Sequence, residues 1–164
     1  MVVIIMVKIT SLTRKLQASA QQHPHLACLT FQRGETFRWD HTACVIYFDP
    51  DVAHAESYLL HEFGHALLAH TTYTRDIELI AIERAAWEKA AKLAPEYGIA
   101  IDTELIENTL DTYRDWLHAR SRCPQCTATG IQTSSHSYRC LACTQSWRTN
   151  EARTCALRRY TTTT

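Results

Sequence analysis

Apolar side chains recur along this chain with changing spacings, and each spacing predicts a different kind of element. Ile9, Leu12 and Leu16 fall three and four residues apart among Lys and Gln, which predicts a short helix over residues 8–21 that ends near Pro24. From residue 26 to 48 the texture becomes short β-branched and aromatic runs at 29–31, 36–39 and 43–48, broken at Gly34 and near Asp40. Such runs predict a small antiparallel meander. Asp49-Pro50-Asp51 stops the last run and sets a carboxylate where it can cap a helix continuing to about His70. Helical spacing returns near Asp76 with Ile77, Ile80, Ala81, Arg84, Trp87 and Ala91, before Pro95 and Gly98. It returns again over 102–121, with Leu105, Ile106, Leu110, Tyr113 and Leu117 on one face. After Cys123 the helical period is lost: residues 122–148 are rich in Cys, Thr, Ser and Gln, and the chain closes on four threonines. The expected fold class is α+β, a small antiparallel sheet packed on a helical core over residues 1–121. A compact module at 122–148 and a disordered tail at 149–164 follow it.

Composition adds a boundary to that picture. With 164 residues, 46% of them hydrophobic and 21% charged, the chain can bury a core, and wholesale disorder is excluded. Lys+Arg and Asp+Glu both number 17, so total charge draws it to neither nucleic acid nor an anionic membrane. The distribution is uneven: residues 1–115 carry 10 basic and 16 acidic side chains, whereas 116–164 carry seven arginines against the single Glu151. That swing predicts two modules with different partners. The apolar opening at residues 2–7 is too short for a signal peptide or a membrane span, so the expected setting is cytoplasmic, without a membrane partner. Of seven cysteines, four form two C-x-x-C pairs, which in a chain without an export signal points to metal. Cys28 and Cys44 are expected as buried small hydrophobes and Cys155 as a tail residue.

His61-Glu62-Phe63-Gly64-His65 is an H-E-x-x-H pattern inside the first long helical stretch after the strands. Positions four apart share a helix face, so two imidazoles can meet one Zn2+, and Glu62 lies beside it as a general base. The flanks Tyr58-Leu59-Leu60 and Ala66-Leu67-Leu68 are apolar, and two histidines with a glutamate buried there are costly unless ligated. Gly64 weakens the helix by about 1 kcal/mol relative to Ala, which makes sense if something approaches its backbone closely. A catalytic zinc needs a third protein ligand and an open position. If the two helices form an antiparallel hairpin pivoting near residue 74, His65 faces Glu83, while Glu78 and Glu88 mirror worse positions. His70 is a rival ligand, though five residues past His65 it lies off the His61/His65 face of a continuing helix. Tyr73, His54 and His70 neighbour the motif as candidates to stabilise an oxyanion.

His61 to Leu68, with Phe48-Asp49-Pro50 before and Ile82-Glu83-Arg84-Ala85-Ala86-Trp87 after, resembles the ImmA/IrrE family of zinc metallopeptidases over roughly residues 43–95. The resemblance implies His61, His65 and Glu83 as ligands of a catalytic zinc, Glu62 as general base, and an endopeptidase acting on repressors or regulators in stress and mobile-element control. The implied partner is a protein or peptide substrate such as a transcriptional regulator. This chain differs from that family in lacking an N-terminal helix-turn-helix and in carrying a C-terminal cysteine module.

That module holds Cys123-Pro124-Gln125-Cys126 and Cys140-Leu141-Ala142-Cys143, separated by 13 residues with Gly130 between them, the spacing of a zinc ribbon whose four thiolates close a structural site. Two zinc ions per chain are therefore expected, one catalytic and one structural. Arg120, Arg122, Arg139 and Arg148, with Tyr138 and Trp147, offer phosphate contacts and base stacking. Ribbons of this kind also follow the SprT-like metallopeptidases that act at DNA, a weaker resemblance because no histidine lies between His70 and His118. A non-catalytic or DNA-associated zinc protein, whose basic ribbon recruits nucleic acid or a protein, is thus the alternative to a peptidase.

Overall fold

The structure, a computed structural model, describes residues 2–153 and 155–162, with side chains from Ile9 onward. Among these the fold is mixed α+β, with four α-helices and two small sheets. No helix is long and apolar enough to cross a membrane. The chain divides into two compact units, one formed by residues 1–71 and 82–106, the other by 72–81 and 107–164. The division therefore does not fall at residue 121.

In the first unit, α1 (Val2–Ala20) buries Ile9, Leu12 and Leu16 at the spacing expected of them, although it begins well before residue 8. Strands β1 (Thr30–Arg33), β2 (Arg38–Asp40) and β3 (Val45–Phe48) form a sheet in the order β1-β3-β2. It is mixed rather than an antiparallel meander: β1 pairs parallel with β3, Phe31 against Ile46, and only β2 pairs antiparallel, Trp39 against Ile46. Cys28 is exposed and Cys44 half-buried, contrary to the expectation for both, and Cys44 stands in a tight left-handed residue (φ 55°) just before β3.

Helix α2 (Ala55–Leu67) starts later than Asp49-Pro50-Asp51 would place it. Asp49 instead accepts the N–H of Asp51 within its own turn, and left-handed His54 stands at the N-cap. Leu59, Leu60, Phe63 and Ala66 are buried completely. Helix α3 (Asp76–Leu93) buries Leu79, Glu83, Ala86, Trp87 and Ala90. Glu83 and Trp87 share the buried face, Ile80 is half-buried, and Ile77, Ala81, Arg84 and Ala91 face solvent. Gly64 and Ala86 mark the approach of α2 to α3: a Cβ on Gly64 would lie 2.6 Å from the Ala86 carbonyl oxygen. Only glycine permits that distance, which is the close approach its place in the helix foretells.

In the second unit, α4 (Thr103–Ser121) contributes Leu110, Trp116 and Arg120 as buried residues. Strands β4 (Ile131–Ser134), β5 (Ser137–Arg139), β6 (Ser146–Thr149) and β7 (Arg159–Thr162) form an antiparallel sheet in chain order. The stretch 149–164, expected to lack structure, thus supplies its outer strand. Thr154, Thr163 and Thr164 lie outside the described residues. Tyr138 and Trp147 stack face to face under the sheet, with ring centroids 5.6 Å apart, both essentially buried. Arg120 is fully buried and donates through Nε to Asp76 at 2.5 Å, through Nη1 to the carbonyls of Asn150 and Glu151, and pairs through Nη2 with His136 Nδ1. Asp76 also accepts from the Tyr138 hydroxyl and the Gln132 amide, while Gln132 takes the Asp76 N–H at 2.8 Å. Arg120, Tyr138 and Trp147 are therefore parts of the interior, not of a surface that could grip nucleic acid.

Candidate metal centres

Two turns of α2 carry His61 and His65, and the facing turn of α3 carries Glu83. His65 Nε2 lies 3.0 Å from His61 Nε2, and Glu83 Oε2 lies 3.1 Å from His61 Nε2 and 3.5 Å from His65 Nε2. All three side chains are buried. Protons alone cannot satisfy this triangle. Two neutral imidazoles meeting nitrogen to nitrogen cannot both donate to one carboxylate and also bond to each other. A cation at the centre resolves the conflict: bonds of about 2.05 Å at tetrahedral angles set ligand atoms roughly 3.4 Å apart, within a few tenths of an ångström of the three distances. The donor set, two imidazoles and one carboxylate, suits Zn2+.

The surroundings hold these ligands in place. The Trp87 ring packs on His61 with centroids 4.3 Å apart. Burial pushes the Glu83 carboxyl up, but hydrogen bonds from His61 and His65 outweigh it and hold it well below the usual carboxylate range. Helix α2 ends at Leu67, and a left-handed Ala69 turns the chain back so that the His70 N–H bonds the His65 carbonyl at 3.0 Å. His70 Nδ1 then meets His65 Nδ1 at 2.9 Å, on the far side of the His65 ring from Glu83. It backs the ligand rather than joining the ligand set, and burial followed by the charge of His65 lowers its pKa.

Glu62 follows His61 on α2 and is half-buried, and its Oε2 accepts the backbone N–H of Trp39 at 2.7 Å. Trp39 also donates its indole N–H to the His70 carbonyl at 3.0 Å. It is the contributor that no motif announces. Its only signal in the sequence is a place in a short aromatic run, whereas in the fold it is the middle residue of the edge strand β2, whose outward N–H groups lack a sheet partner. Among the other neighbours, His54 occupies the N-cap position of α2 without a side-chain bond to it, and Glu78 accepts the N–H groups of Thr74 and Arg75 at the start of α3, the role of a capping-box glutamate. Tyr73 donates its hydroxyl to Glu151 within the second unit, and Glu88 is exposed.

The second centre lies entirely in the second unit. The sulfurs of Cys123, Cys126, Cys140 and Cys143 all fall within 4.8 Å of one another, with 3.6 Å between Cys123 and Cys143 and 3.5 Å between Cys126 and Cys140. A tetrahedral site with Zn–S bonds of 2.3 Å needs edges of about 3.8 Å, close to both. Backbone N–H groups of Cys143 and Ala142, working against burial, lower the Cys140 thiol to about 7. Cys143 is pushed up to about 12: a backbone N–H from Gln145 favours its thiolate, but burial and the three neighbouring sulfurs prevail. Four crowded sulfurs cannot all ionise without a cation among them. Gly130 lets the sheet close over the pair of knuckles, since a Cβ there would meet Trp147 at 2.4 Å and the Arg139 carbonyl at 2.8 Å.

No family model matches the chain, and no curated protein or solved structure matches it. The two donor clusters therefore carry the functional argument alone.

Proposed function

We propose that this chain is a zinc-dependent endopeptidase, of the kind its likeness to the ImmA/IrrE metallopeptidases implies, acting on a regulatory or stress-response protein. The observation that carries the reading is the convergence of His61 Nε2, His65 Nε2 and Glu83 Oε2 in one cluster, with Glu62 the next residue after His61 on the same helix. Zinc held by those three side chains would supply Lewis-acid polarisation of a scissile carbonyl and acidify a water molecule. Glu62 takes a proton from the attacking water and returns it to the leaving amine. The Trp39 N–H fixes one oxygen of that carboxylate and leaves the other for the proton. His61, His65 and Glu83 are buried in helices, so the centre is rigid, as a hydrolytic site requires. The four-cysteine centre has no open position for substrate and serves the structure of its unit.

The test is hydrolysis of unfolded casein and of a quenched peptide library by the zinc-loaded protein, beside Glu62→Gln. Glu62→Gln should keep its zinc and lose turnover by at least a hundredfold, the usual scale of a general base. Equal hydrolysis by both proteins, or none by either, refutes the assignment.

A further inference from the structure

The sheet of the second unit has one face turned inward, with Tyr138, Trp147 and Thr149 buried, and the opposite face in solvent. Paired residues of an antiparallel ladder share a face, so register alone places the outward side chains. Ile131 pairs with Arg139 and Arg139 with Ser146, which makes one row; Ser137 pairs with Arg148 and Arg148 with Tyr160, which makes the next. Arg139 and Arg148 are exposed, and Ile131 and Tyr160 stay 49% and 53% exposed. The four strands contain no Asp or Glu, and neither arginine is in an ion pair among the described residues. This contrasts with Arg120, whose charge is neutralised internally. Two unpaired arginines, at diagonal ladder positions whose backbones lie about 7–8 Å apart, are flanked by an aromatic residue and by serines.

We infer that this outer face binds single-stranded nucleic acid, Arg139 and Arg148 taking two neighbouring phosphates and Tyr160 stacking a base. The chemistry favours that occupant over others. A polyanion answers the charge, and an exposed ring on a flat sheet answers an unstacked base, which a duplex does not present. Ser137 and Ser146 add donors to phosphate or sugar. The inference goes beyond the peptidase reading and uses none of its residues.

Fluorescence anisotropy tests it with the full-length, zinc-loaded protein and labelled oligothymidylate or oligouridylate strands of about twelve nucleotides, within the known range of site sizes. Affinity for a single strand should fall with salt, and Arg139→Ala and Arg148→Ala should each flatten the log–log salt slope by about 0.7. Tyr160→Ala should weaken binding about 5- to 150-fold with the slope unchanged, because stacking carries no charge. All three side chains are exposed, and unchanged zinc content confirms that each variant keeps its ribbon. Binding of either strand by this pattern supports the proposal, a preference for oligouridylate marking RNA as the form read. Three results overturn it: no binding at low salt, tighter binding of a duplex with no effect of Tyr160→Ala, or capture of phosphatidylserine vesicles in place of the strands.

Discussion

Replacing Gly64 by alanine tests whether the approach of α2 to α3 is what assembles the first metal centre. The added methyl would lie 2.6 Å from the Ala86 carbonyl oxygen and 3.3 Å from its carbon. Ordinary contact needs about 3.4 Å, so the two helices must part by about 0.8 Å at this point. The obstacle is backbone within a helix, not the movable end of a side chain. His65 adjoins Gly64, and Glu83 lies one turn before Ala86, so the separation falls on the distance between ligands. Metal sites tolerate about 0.2 Å. Without metal the helices can spread, and alanine gains about 1 kcal/mol of helix propensity. With metal they must be drawn together against the overlap, at a cost of roughly 1–3 kcal/mol. The strain therefore falls on the metal-bound state, and Gly64→Ala should bind zinc about 5- to 150-fold more weakly there. Competition against a chromophoric chelator reads this directly, with the four-cysteine metal as an internal control and His61→Ala as the floor. Unchanged affinity, together with a raised melting temperature, would refute the argument and show that the helices are free to adjust.

Glu83→Ala should abolish tight zinc binding at the histidine pair while sparing the ribbon metal, and Glu78→Ala should leave both metals and lower the melting temperature slightly through the lost cap at Thr74 and Arg75. Elemental analysis of both variants after gel filtration distinguishes a ligand from a cap; the opposite pattern would mean the wrong carboxylate has been assigned. Cys140→Ser should remove the ribbon metal and collapse proton chemical-shift dispersion for residues 122–148, leaving the signals of the first unit in place. Trp39→Phe removes the indole donor to the His70 carbonyl but keeps the backbone donor to Glu62. It should cost about 0.5–1.5 kcal/mol in denaturant unfolding with zinc affinity retained, and a loss of zinc would assign Trp39 a larger part.

What was legible in the sequence was local. H-E-x-x-H needs only helical geometry, and the reversal between α2 and α3 is short enough for hairpin symmetry to select Glu83 over Glu78. The knuckle cysteines likewise come in adjacent pairs. Non-local pairing was hidden. The parallel partnership of β1 with β3 passes over β2, and no run of residues encodes it. Nor could the meeting of Trp39 with Glu62, 23 residues apart, be read from either segment. For the ribbon, counting charges and rings could not separate the two faces of its sheet. Alternation along β5 and β6 turns Tyr138 and Trp147 inward and Arg139 and Arg148 outward. The side chain that completes the outer face, Tyr160, belongs to the stretch expected to be without structure.

The pairing of Asp76 with Arg120 bears on how this polypeptide can be dissected. Both residues precede position 122, so a gene fragment ending at the apparent module border would still encode the two opposite charges. It would lack Gln132, His136, Tyr138 and the carbonyls of Asn150 and Glu151, which supply their remaining hydrogen bonds, and Trp147, which bonds the Arg120 carbonyl. An ion pair stripped of those partners loses the contacts that offset its desolvation. Asp76 opens the same helix that carries Glu83. The recombinant fragment would thus begin that helix on a carboxylate that has lost its Tyr138 and Gln132 donors, and shortening the product would be a substitution in all but name. Co-expression of residues 122–164 as a separate peptide, rather than deletion, is the way to study the two metals apart.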